Sequence, residues 1–179
     1  MVILHLSIMR SFVAIKVPPL ESIEKMQRFF SEKYKIKLVE IENLHITLKF
    51  LGEIDEIEIK NIDSILSKIK FKNFTIKLKG AGAFPKEKNA RVLWIGAFSD
   101  DLIFLGNYVS DALSKYNNEK FSAHLTIGRF KEFQDISNDI KIFKNEEFGE
   151  IFVDHFSIYK STLTKNGPIY EEIKKYFSE

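Results

Sequence analysis

His45-Ile46-Thr47-Leu48 recurs in the other half of the chain as His124-Leu125-Thr126-Ile127. Both stretches are short and apolar and read as β-strands, whose side chains alternate between two faces. The first strand then shows His45 and Thr47 on one face, with Leu44, Ile46, Leu48 and Phe50 on the other. In the second, His124 and Thr126 oppose Leu125 and Ile127. A strand that is polar on one side and aliphatic on the other lines a cleft while covering a core. The doubled pattern therefore calls for two halves whose motif strands face each other, bringing two imidazoles and two hydroxyls together.

The rest of the chain supplies the scaffold. Residues 12–17 predict a strand stopped by Pro18 and Pro19, and residues 21–34 show helical spacing through Ile23, Met26, Phe29 and Phe30. Residues 35–40 predict a further strand. Gly52 is expected to end the first motif strand, and Asp55 to cap a helix reaching about Lys70. A half-buried strand at 74–79, a loop at 80–89 and a strand at 91–98 follow, the last carrying the only Trp. Asp100 or Asp101 is expected to cap a helix to Tyr116. The second motif strand spans 123–130, and residues 131–146 are mostly polar, with room for a short helix. Residues 148–163 predict a long strand with a bulge or break. A turn at 165–168 leads to a strand or short helix at 169–176. The order β-α-β-β-α-β, then β-α-β-β-β, is a weak repeat. It predicts an α+β fold of two pseudo-symmetric lobes, mainly antiparallel sheet with outer helices and a groove between them.

Composition limits the setting. A net charge of +2 over 179 residues gives no global pull toward nucleic acid, so attraction to a phosphate must be local. The absence of cysteine excludes disulfides and thiolate metal sites, and a cytoplasmic location is expected. No apolar stretch is long enough to span a membrane. Met9-Arg10-Ser11-Phe12 looks like a second start, so residues 1–8 are expected to be an extension or a misplaced start. Residues 9–179 are then expected to form a single bilobal domain.

Two histidines across a cleft can hold opposite protonation states and serve as general base and general acid, since the imidazole pKa is about 6.5. The hydroxyls of Thr47 and Thr126 would donate to the nonbridging oxygens of a phosphate held between them. Alternatives at this point are strand residues with no chemistry, a zinc site, or a module that only binds. Zinc would need at least a third ligand, for which the sequence offers no obvious candidate. His5 and His155 lack the motif context. Lys49 shares the parity of His45 and could make the groove more positive, or could be solvated. Trp94 is most simply a core residue.

At these motifs the chain resembles the two-histidine phosphoesterase superfamily, and within it the RNA 2',3'-cyclic phosphodiesterases, also called 2'-5' RNA ligases. The resemblance rests on Arg10-Ser11-Phe12-Val13-Ala14-Ile15, on Glu42 to Gly52, on Phe121 to Arg129, and on Ser161-Thr162-Leu163 with Gly167-Pro168-Ile169-Tyr170. It implies metal- and cofactor-free hydrolysis of a terminal RNA 2',3'-cyclic phosphate to a 2'-phosphomonoester. His124 would be the proton acceptor and His45 the proton donor, with Thr47 and Thr126 on the phosphate. Arg129 matches a basic position of the family, but its parity is opposite to that of His124, so it reaches the phosphate only through a bulge or the strand's end. Phe12 could stack on a base or pack in the core. Reversible 2'-5' ligation and hydrolysis of another small cyclic phosphate use the same groups. The expected partner is an RNA 3' end, such as that of a tRNA fragment, bound by a monomer.

Overall fold

Each helix begins where the chain offers a stop or a cap. Pro18 and Pro19 precede α1 (Glu21–Lys33), whose first turn carries Glu21 and Glu24. The Asp55 carboxylate accepts the backbone N–H groups of Ile57 and Glu58 and starts α2 (Glu56–Leu66). The Ser99 hydroxyl accepts from the N–H of Leu102 and starts α3 (Asp100–Ala112). Asp100 and Asp101 therefore lie in its first turn, where their charge favours the helix dipole, rather than at the cap. Both α2 and α3 stop short of their expected ends.

The computed structural model describes residues 8–179, so His5 and all but the last residue of the expected extension lie outside the described residues. The strands are β1 (Met9–Lys16), β2 (Ile36–Leu38), β3 (His45–Ile54), β4 (Phe74–Lys86), β5 (Asn89–Phe98), β6 (His124–Gln134), β7 (Glu147–Val153), β8 (His155–Thr164) and β9 (Gly167–Phe177). They form two sheets, ordered β3-β1-β8-β9 and β2-β6-β5-β4-β7, with antiparallel pairing throughout. Among the described residues the fold is α+β with two antiparallel sheets and three α-helices, as expected.

The sheets do not follow the halves of the sequence. The early strand β2 pairs with β6, while the late strand β8 lies beside β1 and carries β9 on its other side. The chain crosses between sheets at Asp154, which is the break in the long strand predicted over 148–163. Residues 80–89 are not a loop: β4 runs to Lys86 and pairs with β5 in a long hairpin. Two register shifts beside Gly80 and Pro85 hide the alternation that would reveal it. Gly52 does not end β3 either; at φ 72° it adopts a backbone that favours glycine and lets the strand reach Ile54. Residues 169–176 are strand.

Buried side chains from both sheets and all three helices form one continuous core, including Ile23, Met26 and Phe30 of α1, Ile62 and Leu66 of α2, and Leu102 and Val109 of α3. In β1, Val13 and Ile15 enter this core, whereas Phe12 and Ala14 face the other way and pack with Tyr159 and Tyr170. That second face leads into the groove.

Candidate active site

β3 is an edge strand, and β2 covers only Gly128–Phe130 of β6. The motif ends of both strands are thus open on one side. They face a cavity of about 490 Å³ lined by His45, Thr47, His124, Thr126 and Arg129. Leu44, Ile46 and Leu48, and likewise Leu125 and Ile127, are buried on the opposite faces. The alternation expected from the sequence positions both His-Thr pairs.

The two imidazoles are held alike. Nδ1 of His45 lies 2.6 Å from the carbonyl oxygen of Asn43, and Nδ1 of His124 lies 2.9 Å from that of Ser122. A carbonyl only accepts, so each Nδ1 carries the proton and donates it, leaving Nε2 as the ring's second polar atom. Asn43 Nδ2 also donates to the carbonyl of Pro168 at 2.9 Å, tying the start of β3 to the start of β9.

Aromatic walls complete both settings. The His45 ring lies 4.8 Å from Phe12 and 5.3 Å, edge on, from Tyr170. The His124 ring lies 5.1 Å, edge on, from Phe84, which itself packs at 5.3 Å on Trp94. Phe12 is only 5% exposed and supports the imidazole, which leaves little of its ring for a nucleobase. Trp94 is only partly buried and packs behind Phe84 and His124 rather than deep in the core. Its indole lies where a side chain at residue 82 would be, since a Cβ on Gly82 would come within 2.3 Å of the ring.

Arg129 reaches the groove because β6 bulges. Opposite the consecutive residues Leu93 and Trp94 stand Gly128 and Thr126, so Ile127 is an extra residue that shifts the parity. The same irregularity occurs in β3, where Val13 and Ala14 face Lys49 and Thr47 and Leu48 is extra. Phe50, five residues after His45, consequently lines the cavity as Arg129 does five residues after His124. It does not join Leu44, Ile46 and Leu48 in the core as simple alternation predicted.

Lys49 is neither solvated nor a free groove cation. It is buried, with Nζ donating to Ser110 Oγ at 3.2 Å and to the carbonyls of Asn117 at 3.0 Å and Glu119 at 3.4 Å. It pins the segment after α3 that forms one wall of the groove. Burial pulls its pKa down, against the carboxylates of Asp111 and Glu119. His155 lies outside the groove, with Nδ1 at 2.5 Å from Asp154.

Burial dominates the electrostatics of both motif histidines. It pulls His45 below the ordinary imidazole value, opposed by the hydrogen bond to Asn43 and reinforced by Arg129 and His124. Burial also pulls His124 down, opposed by Ser122 and reinforced by Arg129. Among the described residues, no three His, Asp or Glu side chains gather closely enough to share a metal ion. Among those residues, too, no helix is long and apolar enough to cross a membrane.

The sequence reading missed Tyr170, Phe84 and Phe50 as lining residues. Phe84 and Phe50 follow bulges or irregular pairing, and Tyr170 belongs to a strand brought alongside only by the crossing at Asp154.

A family model described as LigT-like phosphoesterase matches residues 13–94, which include the first motif. The RNA 2',3'-cyclic phosphodiesterase of Methanocaldococcus jannaschii is 43% identical over 180 residues, covering 94% of this chain and 100% of the relative. That of Archaeoglobus fulgidus is 38% identical, covering 94% and 99%. Among solved structures, TT0787 of Thermus thermophilus superposes with a TM-score of 0.79 at 25% identity, covering 94% and 97%. The chain belongs to the LigT-like phosphoesterases, among the RNA 2',3'-cyclic phosphodiesterases.

Proposed function

We propose that the protein hydrolyses the 2',3'-cyclic phosphate at an RNA 3' end to a 2'-phosphomonoester, without a metal ion. The observation that carries this reading is the pair of tautomer-fixed imidazoles facing one cavity with two threonines and an arginine. Likeness to the curated phosphodiesterases supports the substrate. His124, neutral, takes a proton from water as the water oxygen attacks phosphorus. The bond from phosphorus to the 3'-oxygen breaks, and His45, protonated, gives its proton to that oxygen. Thr47, Thr126 and Arg129 hold the nonbridging oxygens, where charge accumulates. The phosphate's own negative charge favours the imidazolium and offsets the burial that pulls His45 down.

Two variants and one product test this. His45→Ala and His124→Ala should each lower kcat by a factor of about 100 or more while far-UV circular dichroism stays that of the parent. A short RNA with a cyclic end, incubated with a chelator present, should yield a 2'-phosphate. A 3'-phosphate product would reverse the side on which the donor stands, and full activity of either variant would exclude the mechanism.

A second reaction in the same groove is supported by the wall beside His124. Phe84 is 39% exposed there and offers a surface for a second nucleoside, as joining two RNA ends through a 2'-5' linkage would require.

A further inference from the structure

A second cavity, of about 550 Å³, opens beside the first and shares His45, Phe50, Asn117, Glu119, Arg129 and Tyr170 with it. Its floor is the groove-side face of β1, where pairing with β8 is regular from Arg10 to Ala14. Strand alternation therefore puts Arg10 on the same face as Phe12, about 7 Å further along the strand. Arg10 lines this second cavity but not the first, whereas His124 lines the first but not the second, and His45 lines both. Arg10 and Arg129 both line this space, and among the described residues neither forms an ion pair or a side-chain hydrogen bond. Tyr170 lines both cavities, and both guanidinium charges oppose the rise in its pKa caused by burial. Glu119, in the segment after α3, is the one carboxylate that lines this cavity, and it lines the first as well. It repels an anion from that side and favours a path along the sheet.

We propose that this cavity carries the RNA strand leading to the reacting end, and that Arg10 holds the first internucleotide phosphate. The inference rests on the phosphodiesterase reading. If His45 serves the 3'-oxygen, the terminal ribose lies on the His45 side. Its 5'-carbon, which bears the rest of the strand, then leads away over the four-stranded sheet. The strand passes Tyr170 and meets the guanidinium of Arg10, which pairs with no carboxylate among the described residues. A guanidinium suits this place because it offers several donors in a fixed plane to phosphate oxygens.

Three substrates separate this subsite from the chemistry: adenosine 2',3'-cyclic phosphate, a dinucleotide with the same end, and that dinucleotide with a neutral methylphosphonate linkage. Arg10→Gln should raise KM for the dinucleotide about tenfold relative to KM for the mononucleotide, with kcat little altered. The neutral linkage should cost the parent enzyme a similar factor and cost Arg10→Gln nothing further. The parent's KM for the dinucleotide should also rise more steeply with salt than that of the variant, by one phosphate contact. Equal effects of Arg10→Gln on all three substrates would overturn the subsite and leave the phosphodiesterase reading standing. Absence of parent turnover on all three would overturn that reading, and the subsite with it.

Discussion

The two catalytic candidates carry nearly identical local chemistry, yet the proposed reaction needs them in different protonation states. Each Nδ1 donates to the carbonyl two residues earlier, and burial pulls each pKa below the ordinary 6.5. A histidine whose folded pKa is lowered binds its proton less readily than the unfolded chain does. Stability from these two groups is therefore present above pH 6.5 and declines as the pH falls below it. For catalysis the same shifts displace the window in which one ring is charged and the other neutral. The profile of kcat/KM, which reports the free enzyme, should be bell-shaped with its maximum on the acid side of pH 6.5. Arg129→Gln removes a positive neighbour that lowers both histidines, so the maximum should move upward. If Arg129 holds the phosphate as proposed, the same change should lower kcat by a factor of about 100, because a charged donor is lost. A fall in rate with an unmoved optimum would place Arg129 on the substrate alone, and an unchanged rate would remove it from the site.

At the scale of elements, the motif strands show what could be read in the sequence and what could not. Polar-apolar alternation is a period of two, and it placed His45, Thr47, His124 and Thr126 correctly on one face each. A bulge adds a residue and resets the period, so Phe50 and Lys49 could not be placed by counting, and Arg129 was left with the wrong parity until Ile127 proved to be extra. The hairpin of β4 and β5 was hidden for the same reason. Lys49 also shows how one element fixes another, because its ammonium satisfies carbonyls of the segment after α3. Lys49→Met would keep most of the buried stem but leave those acceptors unpaired. It should destabilise the fold by about 1–3 kcal/mol in urea denaturation. Because that segment is a groove wall, KM should rise more than kcat falls. Unchanged stability would show that water replaces the ammonium without cost.

At the scale of the molecule, the site depends on strands exchanged between the halves of the chain. β2, from the first half, completes the sheet that carries His124, and β8 with β9, from the end, supports the sheet that carries His45. The order of elements revealed two antiparallel lobes but not this exchange, because alternation within a strand says nothing about which strand lies beside it. One core runs through both sheets and all three helices, so neither lobe has an apolar interior of its own. Unfolding should therefore be a single cooperative event, although the candidate catalytic groups lie on different sheets. Trp94, the only tryptophan, packs behind His124 and reports the five-stranded sheet. Backbone circular dichroism reports both sheets, and turnover by the proposed mechanism requires both at once. In a urea titration the three midpoints should coincide. If Trp94 fluorescence changed at a lower concentration than the backbone signal, the five-stranded sheet would be opening by itself. Activity should then follow the fluorescence, since His124, Thr126 and Arg129 would be lost while His45 remained on an intact strand.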